Sequence, residues 1–220
     1  MREQVKLILD QTILSLYRSI RYPVFPIDPS RIVKFIANCR LISYDELSKS
    51  SNMSYEDVVK ACQSLDGATQ YDHATDRYLI AINTSKQYSA SEPRIRWTIA
   101  HELGHIAAGH FIELANMKCN DIVPSSLNEF EEEADYFAAS FLAPSPAIQL
   151  MRVKRPADIR DWFGLSQIAS EYRWAEYNRE IPNIELLNYF KDFRPRSTVK
   201  DFRLAHPPGI NIRADADYIP

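Results

Sequence analysis

The stretch Thr98-Ile99-Ala100-His101-Glu102-Leu103-Gly104-His105 decides how this chain is read. On a helix, residues four apart share a face, so His101 and His105 point the same way. Two imidazoles so placed can bind one face of a tetrahedral zinc ion. Glu102 lies about 100° further round the helix. There a carboxylate can take a proton from water activated by the ion. The flanks favour a helix. Pro93 suits its first turn, and Glu92 complements the positive end of the dipole. Ile95, Ile99, Leu103 and Ile106 form an apolar stripe, while Ala100, Ala107 and Ala108 keep another face thin enough for close packing. Gly109 reads as the C-cap.

A third protein ligand sets the subclass. The spacing His-Glu-x-x-His-x-x-Gly-x-x-His would need glycine at position 108 and histidine at 111. The chain has Ala108 and Phe111 there, with Gly109 and His110 one place off. On a helix His110 faces away from His101, and it reads as a helix-end residue. The better candidate lies in Asn128-Glu129-Phe130-Glu131-Glu132-Glu133-Ala134-Asp135-Tyr136-Phe137-Ala138-Ala139-Ser140-Phe141-Leu142-Ala143-Pro144, a second amphipathic helix stopped by Pro144. Ala134, Ala138 and Leu142 share a face with Glu131, where small residues allow close approach to the first helix. Glu133 follows the line of Phe137 and Phe141 and stays open as an alternative ligand. Glu129 and Glu132 suit the helix dipole. Asp135 is placed to hydrogen-bond a ligand histidine and fix its tautomer.

These two segments resemble the ImmA/IrrE family of zinc metallopeptidases. Thr-Ile-Ala-His-Glu-Leu-Gly-His-Ile carries the first motif, and Glu-x-x-Ala-Asp-x-Phe-Ala-Ala-x-Phe-Leu-Ala-Pro the second. The resemblance covers about residues 25–180. It implies the zinc site of thermolysin-like zincins, made of two histidines and a glutamate, in which the glutamate precedes an Asp or Asn by four positions. Glu131 with Asp135 matches that pattern. Phe141-Leu142-Ala143-Pro144 stands where the family more often has Leu-Leu-Met-Pro, an apolar-for-apolar change. The implied fold is α+β: a mainly helical zincin-like domain over residues 1–150 with a small antiparallel sheet. Residues 151–220 would form a C-terminal helical hairpin and an extended tail, packed on the peptidase domain.

Composition bounds the alternatives. The chain has 220 residues, 45% hydrophobic and 25% charged, as in an ordinary soluble globule. A net charge of −3 gives no overall attraction to nucleic acid or anionic membrane. No apolar run is long enough to span a bilayer, and the opening residues are unlike a signal peptide. Cys39, Cys62 and Cys119 are scattered, without a Cys-x-x-Cys, which fits reduced thiols and a cytoplasmic location.

The rest of the chain reads as scaffold. Val5, Leu9, Ile13, Leu16 and Ile20 space a core helix over residues 3–20. Asp28 caps a helix opened by Pro29. Residues 40–44 read as a strand, and Ser54 to Asp57 as a capping box. Two strands, 68–71 and 77–83, form a hairpin with His73 as a surface residue in its turn. In zinc peptidases of this shape a strand leading to the histidine helix has an edge that can pair with an extended substrate; Tyr78 to Asn83 is the candidate for that sheet, with the open edge undecided. Residues 113–127 read as a loop beside the cleft, and Cys119 within it is not needed as a ligand. Beyond Pro144, a short helix ends at Gly164 and Ser166 caps another, with Ile168, Ala169 and Tyr172 facing in. The pattern is like a DNA-binding helix-turn-helix, but Glu171, Glu176 and Glu180 offset Arg173 and Arg179, so a helical hairpin is preferred.

The functional expectation is a zinc endopeptidase with His101, His105 and Glu131 as ligands and Glu102 as general base. Manganese or iron would also suit the ligand set. Tyr136, Tyr172 or His206 would stabilise the oxyanion. The resemblance implies a specific protein substrate, a helix-turn-helix repressor of a stress or mobile-element regulon. A zinc-stabilised, non-catalytic regulatory or antitoxin-type partner is the alternative. Direct nucleic-acid binding through residues 156–180 is a third, less favoured reading, and no membrane contact is expected.

Overall fold

The computed structural model describes residues 1–20, 23–88, 90–116, 124–180 and 183–191, without the side chains of 124–126. The elements run α1 (Glu3–Ser19), α2 (Pro29–Val33), β1 (Cys39–Ser43), α3 (Tyr44–Ser51), α4 (Tyr55–Cys62), β2 (Gly67–Asp72) and β3 (Arg77–Ile82). They continue through α5 (Glu92–Ala108), α6 (His110–Asn116), α7 (Pro124–Leu142), α8 (Ser145–Leu150), α9 (Pro156–Phe163), α10 (Gln167–Tyr177) and α11 (Ile184–Lys191). Among these residues no helix is long and apolar enough to cross a membrane.

Local chemistry accounts for the boundaries. The carboxylate of Asp28 accepts from the Ser30 amide at the start of α2. Ser43 and Glu46 form a reciprocal capping box on α3, and Ser54 caps α4. Pro93 occupies the first turn of α5, and Gly109, left-handed at φ 75°, ends it. Gly164 closes α9 in the same way, and Ser166 caps α10.

The sheet is three-stranded in the order β1-β3-β2. The β2–β3 hairpin is antiparallel, with Thr69 opposite Ile80. β1 joins β3 in parallel, with Cys39 opposite Tyr78, so the sheet is mixed rather than wholly antiparallel. α3 and α4 make up the crossover that a parallel pair requires. Tyr78, Ile80 and Ile82 face the main core, whereas Ala81 joins Ile42, Tyr44 and Val58 in a small second cluster under α3 and α4. β3 is therefore the central strand. Among the described residues β1 and β2 are each paired on one side only, so the open edges of the sheet belong to them and not to β3.

The main core is organised by α5 and α7. Ile99, Ala100, Leu103, Ile106 and Ala107 of α5 are buried against Ala134, Phe137, Ala138 and Phe141 of α7, with Leu9, Ile13, Leu16 and Tyr17 of α1 packed behind. Gly104 sets how close α5 and α7 come. A Cβ there would sit 2.9 Å from both Cα and the carbonyl oxygen of Ala134 and 3.0 Å from Cβ of Phe137. In an isolated helix, glycine to alanine gains about 1 kcal/mol. Here overpacking typically costs about 1–3 kcal/mol, and the opposing atoms are mostly backbone, which cannot rotate away. Gly104→Ala should therefore lower the thermal midpoint. A raised midpoint would show that the helix pair is not held at this spacing by the missing Cβ.

Two further expectations change. Residues 113–116 and 124–127, read as loop, are helical in α6 and α7. In α10 the buried residues are Ala169, Ser170 and Arg173, whereas Ile168 is 80% exposed and Tyr172 is 39% exposed. The reason is Arg173. Its Nε donates to the Ala143 carbonyl at 2.7 Å and its Nη2 to Ser145 Oγ at 2.5 Å, and Glu180 accepts from both Nη1 and Nη2. The guanidinium caps the chain just past α7 and sets the rotation of α10, overriding the apolar pattern.

Candidate metal centre

His101 and His105 stand one turn apart on α5, and Glu131 projects from the first half of α7. One ligand atom from each lies within 4.8 Å of the others. His101 Nε2 is 3.1 Å from His105 Nε2 and 3.3 Å from Glu131 Oε2, and His105 Nε2 is 3.6 Å from Glu131 Oε1. Tetrahedral zinc with ligand bonds of about 2.0–2.1 Å requires ligand atoms about 3.3 Å apart. These separations, which involve both oxygens of Glu131, bracket that figure, so the two imidazoles and the carboxylate suit zinc in size as well as in chemistry.

Each imidazole has its other nitrogen engaged. His101 Nδ1 donates to Asp135 Oδ1 at 2.9 Å, which turns Nε2 towards Glu131. Burial disfavours a charged imidazole, but hydrogen bonds with Asp135 and Glu131 outweigh it and push the His101 pKa up to about 9. His105 goes the other way: burial, then the neighbouring His101 and His110, hold its pKa well below the usual histidine range. His105 Nδ1 lies 2.8 Å from His110 Nδ1, and His110 Nε2 lies 2.9 Å from Glu133 Oε2.

Glu102 follows His101 on α5, lines the same cleft as His105 and is 8% exposed. Its Oε2 accepts a 2.7 Å hydrogen bond from Thr69 Oγ1 of β2. With His105 and Glu131 it lines a cleft of about 240 Å³, walled by Gly67 and Ala68 of β2 and by Phe111, Leu114, Leu127 and Phe130. Burial pushes the Glu102 carboxyl up, and the Thr69 hydrogen bond works against that rise. Thr69→Val keeps the shape and removes the donor. The acid limb of any pH–rate profile should then move to higher pH, because Glu102 needs less acid to be protonated. An unmoved limb would mean that Thr69 does not act on the base.

The residues singled out from sequence are placed as follows. His101, His105 and Glu131 converge, with Glu102 next to them and Asp135 behind His101. Glu133 does not reach the cluster. It is fully buried and bound to Arg2 and His110, which corrects it as an alternative ligand. His110 is not a bare helix end: it is 1% exposed, stacks on Phe130 and contacts His105. Tyr136 donates to Asp10 Oδ1 at 2.6 Å on the α1 side, so it is withdrawn as an oxyanion partner. Tyr172 packs edge-on against Trp97, one turn before His101. Burial and the carboxylates of Glu176, Asp135 and Glu132 keep its phenol protonated. His206 and Cys119 lie outside the described residues. His73 is exposed in its turn.

Arg2, Thr69 and the inward role of His110 were not found from sequence. Thr69 carried a faint signal, since a β-branched hydroxyl residue in a strand of the hairpin is ordinary there. Arg2 carried none.

A strand-edged cleft between two helices, with paired imidazoles, a carboxylate opposite and a second carboxylate alongside, is the arrangement of a metallopeptidase. The family described as the IrrE N-terminal-like domain, a peptidase family, matches residues 38–176. The chain belongs to this ImmA/IrrE family of peptidases. The match spans the sheet, both motif helices and nearly all of α10, and it starts after α1 and α2. Neither the curated proteins nor the solved structures yield a match.

Proposed function

We propose that this chain is a zinc-dependent endopeptidase acting on a specific protein. One observation carries the reading: the two Nε2 atoms and the Glu131 carboxylate converge, with one ligand atom from each within 4.8 Å of the others and Glu102 alongside in the same cleft. His101, His105 and Glu131 would hold the ion. Bound there, zinc supplies Lewis acidity towards the scissile carbonyl and towards water.

The chain's own residues do the rest. Asp135 fixes the His101 tautomer. Glu102, oriented by Thr69, takes the proton of the attacking water and passes it to the leaving amine. The apolar wall formed by Phe111, Leu114 and Phe130 limits water around the reacting bond. Tyr172 is the candidate for the oxyanion among the described residues, with His206 outside them.

The preferred substrate is a helix-turn-helix repressor encoded beside this chain. Membership of the family and the donor cluster within a cleft support a peptide bond as the target; the repressor is our extension of the family resemblance. The zinc-loaded protein should be incubated with the repressor of the adjacent gene and the products weighed by mass spectrometry. Two fragments that sum to the repressor plus water support the reading. A stable complex without a cut would replace it with the non-catalytic, antitoxin-type partner. Nucleic acid suits this surface poorly: α10 is turned by the buried Arg173 and carries Glu171 among its exposed residues.

A further inference from the structure

The zinc site is supported unequally. Behind His101 stands one half-exposed carboxylate, Asp135. Behind His105 stands a buried chain that spans three elements and the residues ahead of α1. His105 Nδ1 meets His110 Nδ1 at 2.8 Å, and His110 Nε2 meets Glu133 Oε2 at 2.9 Å. Glu133 in turn accepts from the Arg2 backbone amide at 3.0 Å, from Arg2 Nε at 2.9 Å and from Arg2 Nη2 at 2.8 Å. The other arm of Arg2 reaches both oxygens of Glu113 on α6, at 2.7 and 2.8 Å. Phe130 closes one side, stacked 4.2 Å from the His110 ring and lying 5.2 Å under the Arg2 guanidinium.

The order of donors follows from what each group can do. An ionised carboxylate only accepts, so His110 Nε2–H donates to Glu133. In a neutral ring the other nitrogen then accepts, so His110 Nδ1 accepts a hydrogen bond from His105 Nδ1–H. That leaves the lone pair of His105 on Nε2, the atom facing His101 and Glu131. A reversed chain would put a proton on the nitrogen that the metal needs.

We propose that Arg2, Glu133 and His110 form a positioning chain that fixes the tautomer and ring orientation of His105 for metal binding. The proposal rests on His105 being a ligand. None of the three belongs to the ligand cluster, and each acts through its neighbour. It also gives the segment ahead of α1, outside the matched residues 38–176, a part in the site.

Zinc affinity, measured by competition with a chelator, tests this, together with the visible absorption of the cobalt-substituted protein and circular dichroism of the metal-free form. His110→Phe keeps an aromatic ring on Phe130 and removes both nitrogens. Its zinc affinity should fall by about 10- to 100-fold, with shifted cobalt bands and an unchanged metal-free spectrum. His110→Asn returns an acceptor close to the Nδ1 position and should bind zinc more tightly than His110→Phe. Arg2→Gln changes a partly exposed residue and should lower affinity in the same direction by less.

Wild-type affinity and cobalt bands in folded His110→Phe would overturn the proposal. So would an asparagine variant no better than phenylalanine, since packing alone would then explain His110. Should His110→Phe not fold, unchanged affinity in Arg2→Gln overturns it instead. Failure of the underlying reading looks different: His105→Ala would bind zinc as well as the wild type does.

Discussion

Glu102→Gln should stop cleavage while zinc stays bound. The substitution preserves volume in a side chain that is 8% exposed, and the Gln carbonyl can still accept from Thr69 Oγ1. The three ligand atoms belong to other residues, so metal content should not change. What disappears is the only function the amide cannot perform, acceptance of a proton from water. General-base catalysis contributes about 10²- to 10⁴-fold, and the turnover of the repressor fragmentation should fall by that factor. Metal analysis on the same sample separates this from simple loss of the ion. A glutamine variant that cut at the wild-type rate with full zinc would remove Glu102 from the reaction.

Glu131→Ala should do the opposite, losing the metal while leaving the fold intact. The Glu131 side chain is 63% exposed, and substitutions at such positions usually stay within about 0.5 kcal/mol in stability. Structural zinc is bound by about 10–16 kcal/mol through four ligands, so each contributes roughly 2.5–4 kcal/mol. Removing one should weaken zinc by about 10²- to 10³-fold. Equilibrium dialysis against a zinc buffer reads this directly, and cleavage should vanish at zinc levels that saturate the wild type. The comparison also settles which glutamate is the ligand. If a Glu133 variant released zinc completely while Glu131→Ala retained it, the assignment would have to be exchanged.

The parts of the site legible in sequence were those governed by short-range geometry. His101 and His105 share a face because a helix repeats every 3.6 residues, and Gly109 and Pro93 marked where that helix stops and starts. Glu131 could be read because Ala134 and Ala138 announced a thin face, and α5 and α7 do meet there. His110 was misread for an equally local reason. Its facing was worked out as if α5 continued, but Gly109 turns the backbone at φ 75° and starts α6 in a new direction, returning His110 beneath His105. Arg2 meeting Glu133, and β1 joining β3 in parallel, are decided by tertiary packing across long stretches of chain, and no periodicity records them. Arg173 shows the same limit in the core. A buried arginine among carbonyls looks, in sequence, like one more charge on a solvated face.

The position of β2 at the rim of the sheet has a consequence for what this protein can cut. Thr69 holds the Glu102 carboxylate from the strand whose other edge has backbone amides and carbonyls to offer. A polypeptide laid along that edge must present its own amides and carbonyls outward, and a helix cannot, because it spends them internally. Folded helical targets are thus spared along their helices and become vulnerable at linkers, or wherever a terminus frays. The choice of cut would then report the local opening of the target as much as the identity of its side chains.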